Sequence, residues 1–206
     1  MNNVHVALAA YDLFGSLVEL NARGDRLAAG AMWDGGAGNA NAYSGAVRLF
    51  TFADTSFAGG ALAATLGAGY AGGNNVNVAL DTNDNFGVSV ALNGAGDRLA
   101  VGAYQDGGAG NANPNSGAVH LFSFNDTNFS GGTLAATLGS GYTGGKNVNV
   151  VLDAGDGFGV GVALNAAGDR LAVGAYLDDG AGNAKTDSGA VHLFSFTDRN
   201  FSGGAL

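Results

Sequence analysis

Phe158-Gly-Val-Gly-Val-Ala-Leu-Asn-Ala-Ala-Gly-Asp-Arg-Leu-Ala-Val-Gly-Ala175 decides the reading of this chain, because close copies of it begin at Phe14 and Phe86. The step from Phe14 to Phe86 and from Phe86 to Phe158 is 72 residues each time. A fixed period of this kind is the signature of a repeat architecture, in which one supersecondary unit is stacked on copies of itself. The units run over residues 1–74, 75–146 and 147–206. The first is the most divergent, and the third stops before the end of its last strand. Because the chain begins and ends inside a unit, it reads as a piece of a longer array.

In the second unit, Phe86, Val88, Val90 and Leu92 alternate with Gly87, Ser89 and Ala91. Large residues on one face and small ones on the other suit a strand whose sheet is covered on both sides. The Asn93-Gly-Ala-Gly-Asp97 segment is a hairpin turn built of residues that tolerate φ > 0. Three further strands are expected over 98–104, 117–124 and 133–138, with a long polar loop over 105–116. A weak extra strand is expected over 75–80, with Val76, Val78 and Leu80 on one face. No stretch shows a helical period. Each unit is thus a four-stranded antiparallel sheet, apolar on both faces, that cannot stand alone. The expected fold is all-β: three blades of a β-propeller forming an incomplete ring, or the same units stacked as a linear array.

Composition narrows the function classes. With 38 glycines and one proline, Pro114, the glycines fall at set places in the period and read as turn and close-packing positions. The net charge of −9 offers no basic footprint, so nucleic acid is not an expected partner. No apolar run reaches the 18 or so residues expected of a membrane span, so membrane insertion is not expected either. The absence of cysteine excludes disulfides, thiolate metal sites and cysteine nucleophiles. No serine lies in a nucleophile-elbow context, and no acid/base constellation stands out, so no catalytic residue is assigned and no enzyme is expected.

Phe86-Gly-Val-Ser-Val-Ala, followed by Leu99-Ala-Val-Gly-Ala-Tyr and Ser116-Gly-Ala-Val-His-Leu-Phe, resembles the FG-GAP repeat. The resemblance covers about two-thirds of every unit. It implies the blades of an integrin-α-like propeller, in the variant found in large exported bacterial adhesins, and hence a secreted or cell-surface place. Integrin-type repeats carry a calcium loop between their first two strands. Here Asn93–Asp97 and Asn165–Asp169 are too short for it and hold a single carboxylate.

Candidate sites lie elsewhere in the loops. Asp106 with Asn111, and Asp178 and Asp179 with Asn183, form oxygen-rich glycine loops that could offer calcium several oxygens. Asp81 with Asp84, and Asp153 with Asp156, form a second acidic set, reduced in the first unit to Asp12. The alternative for both sets is a solvated turn whose side chains cap their own backbone. Phe14, Phe86 and Phe158 are expected to be structural. So are Asp25, Asp97 and Asp169, bonding turn amides while the following arginine covers a sheet edge. Arg23-Gly24-Asp25 spells an integrin-recognition tripeptide, which one substitution in this turn suffices to produce. His120 and His192 are expected on a sheet surface. Met32, Trp33, Asp34 and Tyr43 give the first unit an aromatic loop suited to a partner or packed on itself. An incomplete set of blades leaves an apolar sheet face open, so self-association as a homo-oligomer or fibre is expected. The functional expectation is a non-enzymatic structural and adhesive module whose loops could meet a carbohydrate or protein ligand. A calcium- or carbohydrate-binding lectin-like propeller is the alternative.

Overall fold

A computed structural model describes residues 4–206. Its described residues form thirteen strands, and helical geometry is confined to the short 3-10 turns Ala37–Asn39, Ala109–Asn111 and Ala181–Asn183. The first sheet holds β1 (Phe14–Leu20), β2 (Arg26–Ala31), β3 (Ala46–Thr51), β4 (Ala61–Gly67) and β5 (Val76–Asn77), in that order. The second holds β6 (Ser89–Leu92), β7 (Arg98–Ala103), β8 (Ala118–Ser123), β9 (Thr133–Gly139) and β10 (Val148–Asn149). The third holds β11 (Phe158–Leu164), β12 (Arg170–Ala175) and β13 (Ala190–Ser195), with a bridge from Ser195 to Ala205 where a fourth strand begins. None of the sheets closes into a barrel. β1 packs on β6, and β6 on β11, so the first strands of the sheets lie side by side as in a propeller.

Two details differ from the expectation of simple alternation. The weak strand after each unit's fourth one pairs parallel with it: β5 joins β4, and β10 joins β9. The sheet that begins at Phe14 therefore draws its last strand from beyond residue 74. In addition, the first strand is bulged. Phe158 pairs with Ala175 but Gly161 with Gly174, so two residues are extra on this side, and the same break separates Phe14 from Val18. Val88 accordingly falls out of the buried row. It is half-buried, and its N–H donates to the Asn85 carbonyl at 3.2 Å within a turn.

The core is the space between sheets. One cluster joins Val47, Leu49 and Leu66 of the first sheet to Phe86, Val101 and Phe122 of the second. Another joins Val119, Leu121 and Leu138 to Phe158, Val173 and Phe194. Val76, Val78 and Leu80 belong to the first cluster, so the face read for that segment is correct. Side chains alternate strictly along β7, Leu99 and Val101 facing backward and Ala100 forward, which is why both faces must be apolar.

Backbone meets backbone where the blades touch. The Phe86 N–H donates to the Ser44 carbonyl and the Phe158 N–H to the Ser116 carbonyl, both at 2.9 Å. A Cβ on Gly102 would lie 1.9 Å from the Gly159 carbonyl oxygen, and one on Gly117 2.0 Å from that of Phe158. Glycine is obligatory at these two places, because no side-chain atom fits. At the free ends the same positions are uncovered. Val119 and Leu121 are 0% exposed, whereas their counterparts Val191 and Leu193 are 68% and 67% exposed. At the other end Val18 is 54% exposed, against 3% for its counterpart Val90.

Candidate functional site

The two acidic sets of the sequence come together. In the second unit the loop after β7 folds back over the turn before β6, and the Asn111 side-chain amide donates to Asp81 Oδ2 at 2.8 Å. The third unit repeats this clasp between Asn183 and Asp153 Oδ2 at 2.6 Å. Within the turn, Asp84 Oδ2 accepts the Asp81 N–H at 2.6 Å, and Asp156 Oδ2 accepts that of Asp153 at 2.8 Å.

Asp106 lies beneath the clasp, buried. Its carboxylate accepts the Gly108 N–H at 2.7 Å and the Tyr142 hydroxyl at 3.0 Å, and His120 Nε2 lies 3.8 Å away. One carboxylate thereby ties its own loop to the β9–β10 connection, with strand β8 alongside. Asp178 accepts the Gly180 N–H at 2.7 Å and faces His192 Nε2 at 3.6 Å, and Asp179 accepts the Asp187 N–H at 2.7 Å. In the first unit Asp34 accepts Gly36 N–H at 2.8 Å, the Tyr70 hydroxyl at 2.9 Å and Arg48 Nη2 at 2.8 Å. Burial, reinforced by the Asp34 charge, pushes the Tyr70 pKa up to about 12. Tyr142 is pushed upward by burial and then by Asp106. Both phenols are fixed as donors.

This arrangement corrects the placing of the histidines. His120 is 3% exposed, edge-on to Phe86 with ring centroids 5.5 Å apart, and bonded through Nδ1 to the Thr137 hydroxyl at 3.3 Å. The sequence hides this because the loop that covers the ring folds in from outside strand β8.

The first unit is open where the others are clasped. Ala9 stands at the position of Asp81, so Asn39 lacks the carboxylate its counterparts hold. A polar cavity of 280 Å³ remains, lined by Asp12, Asp34, Asn39, Arg48 and Tyr70 among others. The Arg48 guanidinium lies 5.8 Å over the Phe14 ring centroid. Trp33 and Tyr43 pack edge to face, centroids 5.7 Å apart, and remain exposed. Met32 is half-buried, and Asp34 is withdrawn into the network just described.

The Asp-Arg turns also depart from expectation. Asn93 Oδ1, not Asp97, accepts the amides of Gly96, Asp97 and Arg98, at 2.9–3.0 Å. Asp97 accepts the Asn93 side-chain amide at 2.9 Å and so orients it. Asn21 with Asp25, and Asn165 with Asp169, repeat the device. Asparagine suits the task because one side chain both accepts from the turn and donates to the aspartate. Arg98 does not cover an edge. It crosses to the next blade, donating from Nε to the Arg199 carbonyl at 2.7 Å and from Nη2 to Asn200 Oδ1 at 2.8 Å. Asp25 of the Arg23-Gly24-Asp25 triplet is buried against Asn21 and is not displayed.

Among the described residues, no group of three or more His, Cys, Asp or Glu is placed to hold a metal ion. Asp34, Asp106 and Asp178 each accept a glycine amide proton, Asp34 and Asp106 accept a phenol proton as well, and Arg48, His120 or His192 stands beside each of the three.

Burial raises the pKa of Asp84 to about 7, opposed by its bond from the Asp81 N–H and assisted by the charge of Asp106. Asp156 shifts the same way for the same first cause. A carboxyl whose folded pKa lies above its unfolded value binds the proton more tightly when folded. Its stabilisation is complete below about pH 4 and is lost as pH rises towards 7. Asp84→Asn keeps an acceptor for the Asp81 N–H and removes the charge. Its stability relative to the unchanged protein should be near zero at pH 4 and rise to about 1–3 kcal/mol by pH 8. Urea unfolding at the two pH values measures this, and a difference independent of pH contradicts it.

The family model described as FG-GAP repeat matches residues 80–122 and 152–194. Each match begins just before the acidic turn and ends in the third strand of its sheet, so it contains the clasp, the buried aspartate and the Asn-Asp turn. No curated protein matches the chain.

Proposed function

We propose, from the premise that the chain belongs to the FG-GAP repeat family, that it is a non-enzymatic structural and adhesive module of a secreted or cell-surface bacterial protein. It associates with itself through open sheet faces and displays its loops for multivalent contact, carbohydrate or protein. The observation that carries this reading is the junction between sheets. Val119 and Leu121 are fully covered there, and the Phe158 N–H donates to the Ser116 carbonyl at 2.9 Å, so each sheet is built to be covered by another of its kind. The loop carboxylates are spent on holding loops to the scaffold, which leaves the exposed Trp33–Tyr43 pair as the first candidate for contact with a ligand. Repetition supplies avidity, since linked weak contacts reinforce one another without new chemistry. Among the described residues, no helix is long and apolar enough to cross a membrane.

Light scattering at micromolar concentration is the test. A mass above that of one chain is expected, and a monodisperse monomer sinks the self-association. Calorimetry with Ca²⁺, controlled with chelator, addresses the lectin-like alternative. Neither heat nor a thermal shift is expected, because calcium would have to displace the bonds of Asp106 and Asp178.

A further inference from the structure

We infer that the first unit binds a small hydroxylated carboxylic acid, a sugar acid by chemical class, in the polar cavity between the Ala9–Asp12 turn and the Gly36–Asn39 loop. The ligand's carboxylate takes the place that Asp81 fills in the second unit. This goes beyond the scaffold and adhesion reading and stands without it.

Both sides of the site are built as in the clasped units. The Ala9 N–H donates to Asp12 Oδ2 at 2.7 Å, as that of Asp81 does to Asp84 Oδ2 at 2.6 Å. On the loop side, the Asn39 N–H donates to the Gly36 carbonyl and the Asn111 N–H to that of Gly108, both at 3.0 Å. Asn39 and Asn111 share the same left-handed backbone, φ 55°. What is missing between turn and loop is the carboxylate, because alanine stands at position 9. The side-chain amides of Asn111 and Asn183 donate to Asp81 and Asp153, whereas that of Asn39 makes no hydrogen bond among the described residues.

A second, independent feature calls for an anion. Arg48 lines the same cavity and is 5% exposed. It stands where the other units carry His120 and His192. Its Nη2 donates to Asp34 at 2.8 Å, but its Nη1 is buried with no hydrogen-bond partner among the described residues. Leaving a buried charged donor unpaired is costly, and a carboxylate matches a guanidinium in both charge and geometry. Compared with the second unit, the site has lost one carboxylate and gained a permanent cation. The rest of the lining selects the body of the ligand. Asp12 Oδ1 accepts no hydrogen bond among the described residues, and an ionised carboxylate can only accept, so it calls for a hydroxyl. The charges of Asp12 and Asp34 disfavour a dianion. The volume of 280 Å³ lies near the lower end, about 300 Å³, of small-molecule sites.

A unit packed ahead of the first one engages other residues. At the first internal junction the loop of the preceding unit bonds the turn at Leu80, Thr82, Asn83 and Asn85. Asp81 and Asp84 bond only within their own unit among the described residues. Their counterparts are Ala9 and Asp12, which line the cavity.

Calorimetric titration with sodium glucuronate tests the site, with acetate and glucose as partial probes. Glucuronate should bind best, acetate more weakly, and glucose not at all. The methyl glycoside of glucuronate separates the sources: retained binding assigns the site to an acidic sugar joined in a chain, and lost binding to a free acid. Ala9→Asp rebuilds the clasp to Asn39 and should abolish binding. Arg48→His copies the second unit and should weaken binding by about 10- to 100-fold. A circular dichroism melt verifies that each variant folds. No heat with glucuronate, equal binding of glucose, or undiminished binding by Ala9→Asp overturns the proposal. Self-association is read separately by light scattering, so either idea can fail without the other.

Discussion

Replacing Phe86 with alanine should cost about 3–5 kcal/mol, the range for removing a fully buried aromatic ring from a core that relaxes only in part. Phe86 is 0% exposed. Its ring stands edge-on to Phe122, centroids 6.0 Å apart, and edge-on to His120 at 5.5 Å. The ring therefore supports both the junction with the first sheet and the polar network around Asp106. Its loss leaves a cavity beside a histidine whose Nε2 already lacks a hydrogen-bond partner among the described residues. The comparison that isolates the effect is Phe14→Ala. Phe14 occupies the same place in the first unit but is only half-buried, with Phe50 at 6.2 Å as its ring neighbour. That substitution should cost about 1–2 kcal/mol in the isolated chain. Urea unfolding of the three proteins gives the difference directly. Equal losses for Phe14→Ala and Phe86→Ala would falsify the claim that covering by the preceding sheet is what makes this phenylalanine matter.

How much of this was legible beforehand depended on whether the cause was local. The face of Val76, Val78 and Leu80 was legible, because alternation is a property of consecutive residues. The partner of that segment was not: the parallel pairing of β5 with β4 depends on how the chain returns after Gly67, and nothing in the segment specifies it. The bulge after Phe158 was masked by composition. Gly159 and Gly161 continue a plausible large–small alternation, yet the register slips between Phe158 and Gly161. In the Asn93–Asp97 turn, both side chains can accept amide protons, so the sequence could not say which one does. Arg98 was misread because its acceptors, at Arg199 and Asn200, lie in the following unit. The candidate site shows the same division. Asp81 and Asn111 were each found as oxygen-rich turn residues, but their bond spans 30 positions and is made only once the loop has folded over the turn. That bond changes what the residues mean, from two open acceptor sets to one closed clasp.

The strongest test of the stacked-blade reading is a single methyl group. Gly102→Ala should destabilise the protein by about 3 kcal/mol or more, at the upper end for overpacking, because the obstruction is backbone and cannot rotate away. The new Cβ would lie 1.9 Å from the Gly159 carbonyl oxygen and 2.3 Å from Ser89 Oγ. Those two atoms are themselves hydrogen-bonded at 2.7 Å, Ser89 donating across the junction between blades. Relief requires the second and third sheets to part, and parting them exposes Val119 and Leu121 and breaks the Phe158–Ser116 bond. Gly174→Ala is the control. It makes the same change on the equivalent strand, in a backbone conformation that alanine adopts freely, with no atom nearer than 3.7 Å. Its effect on the isolated chain should stay within about 0.5 kcal/mol. The ratio of the two measures what the neighbouring blade contributes, independently of strand propensity, which is common to both. If the two alanines cost the same, glycine at this position serves the strand alone, and the close approach of the sheets is wrong.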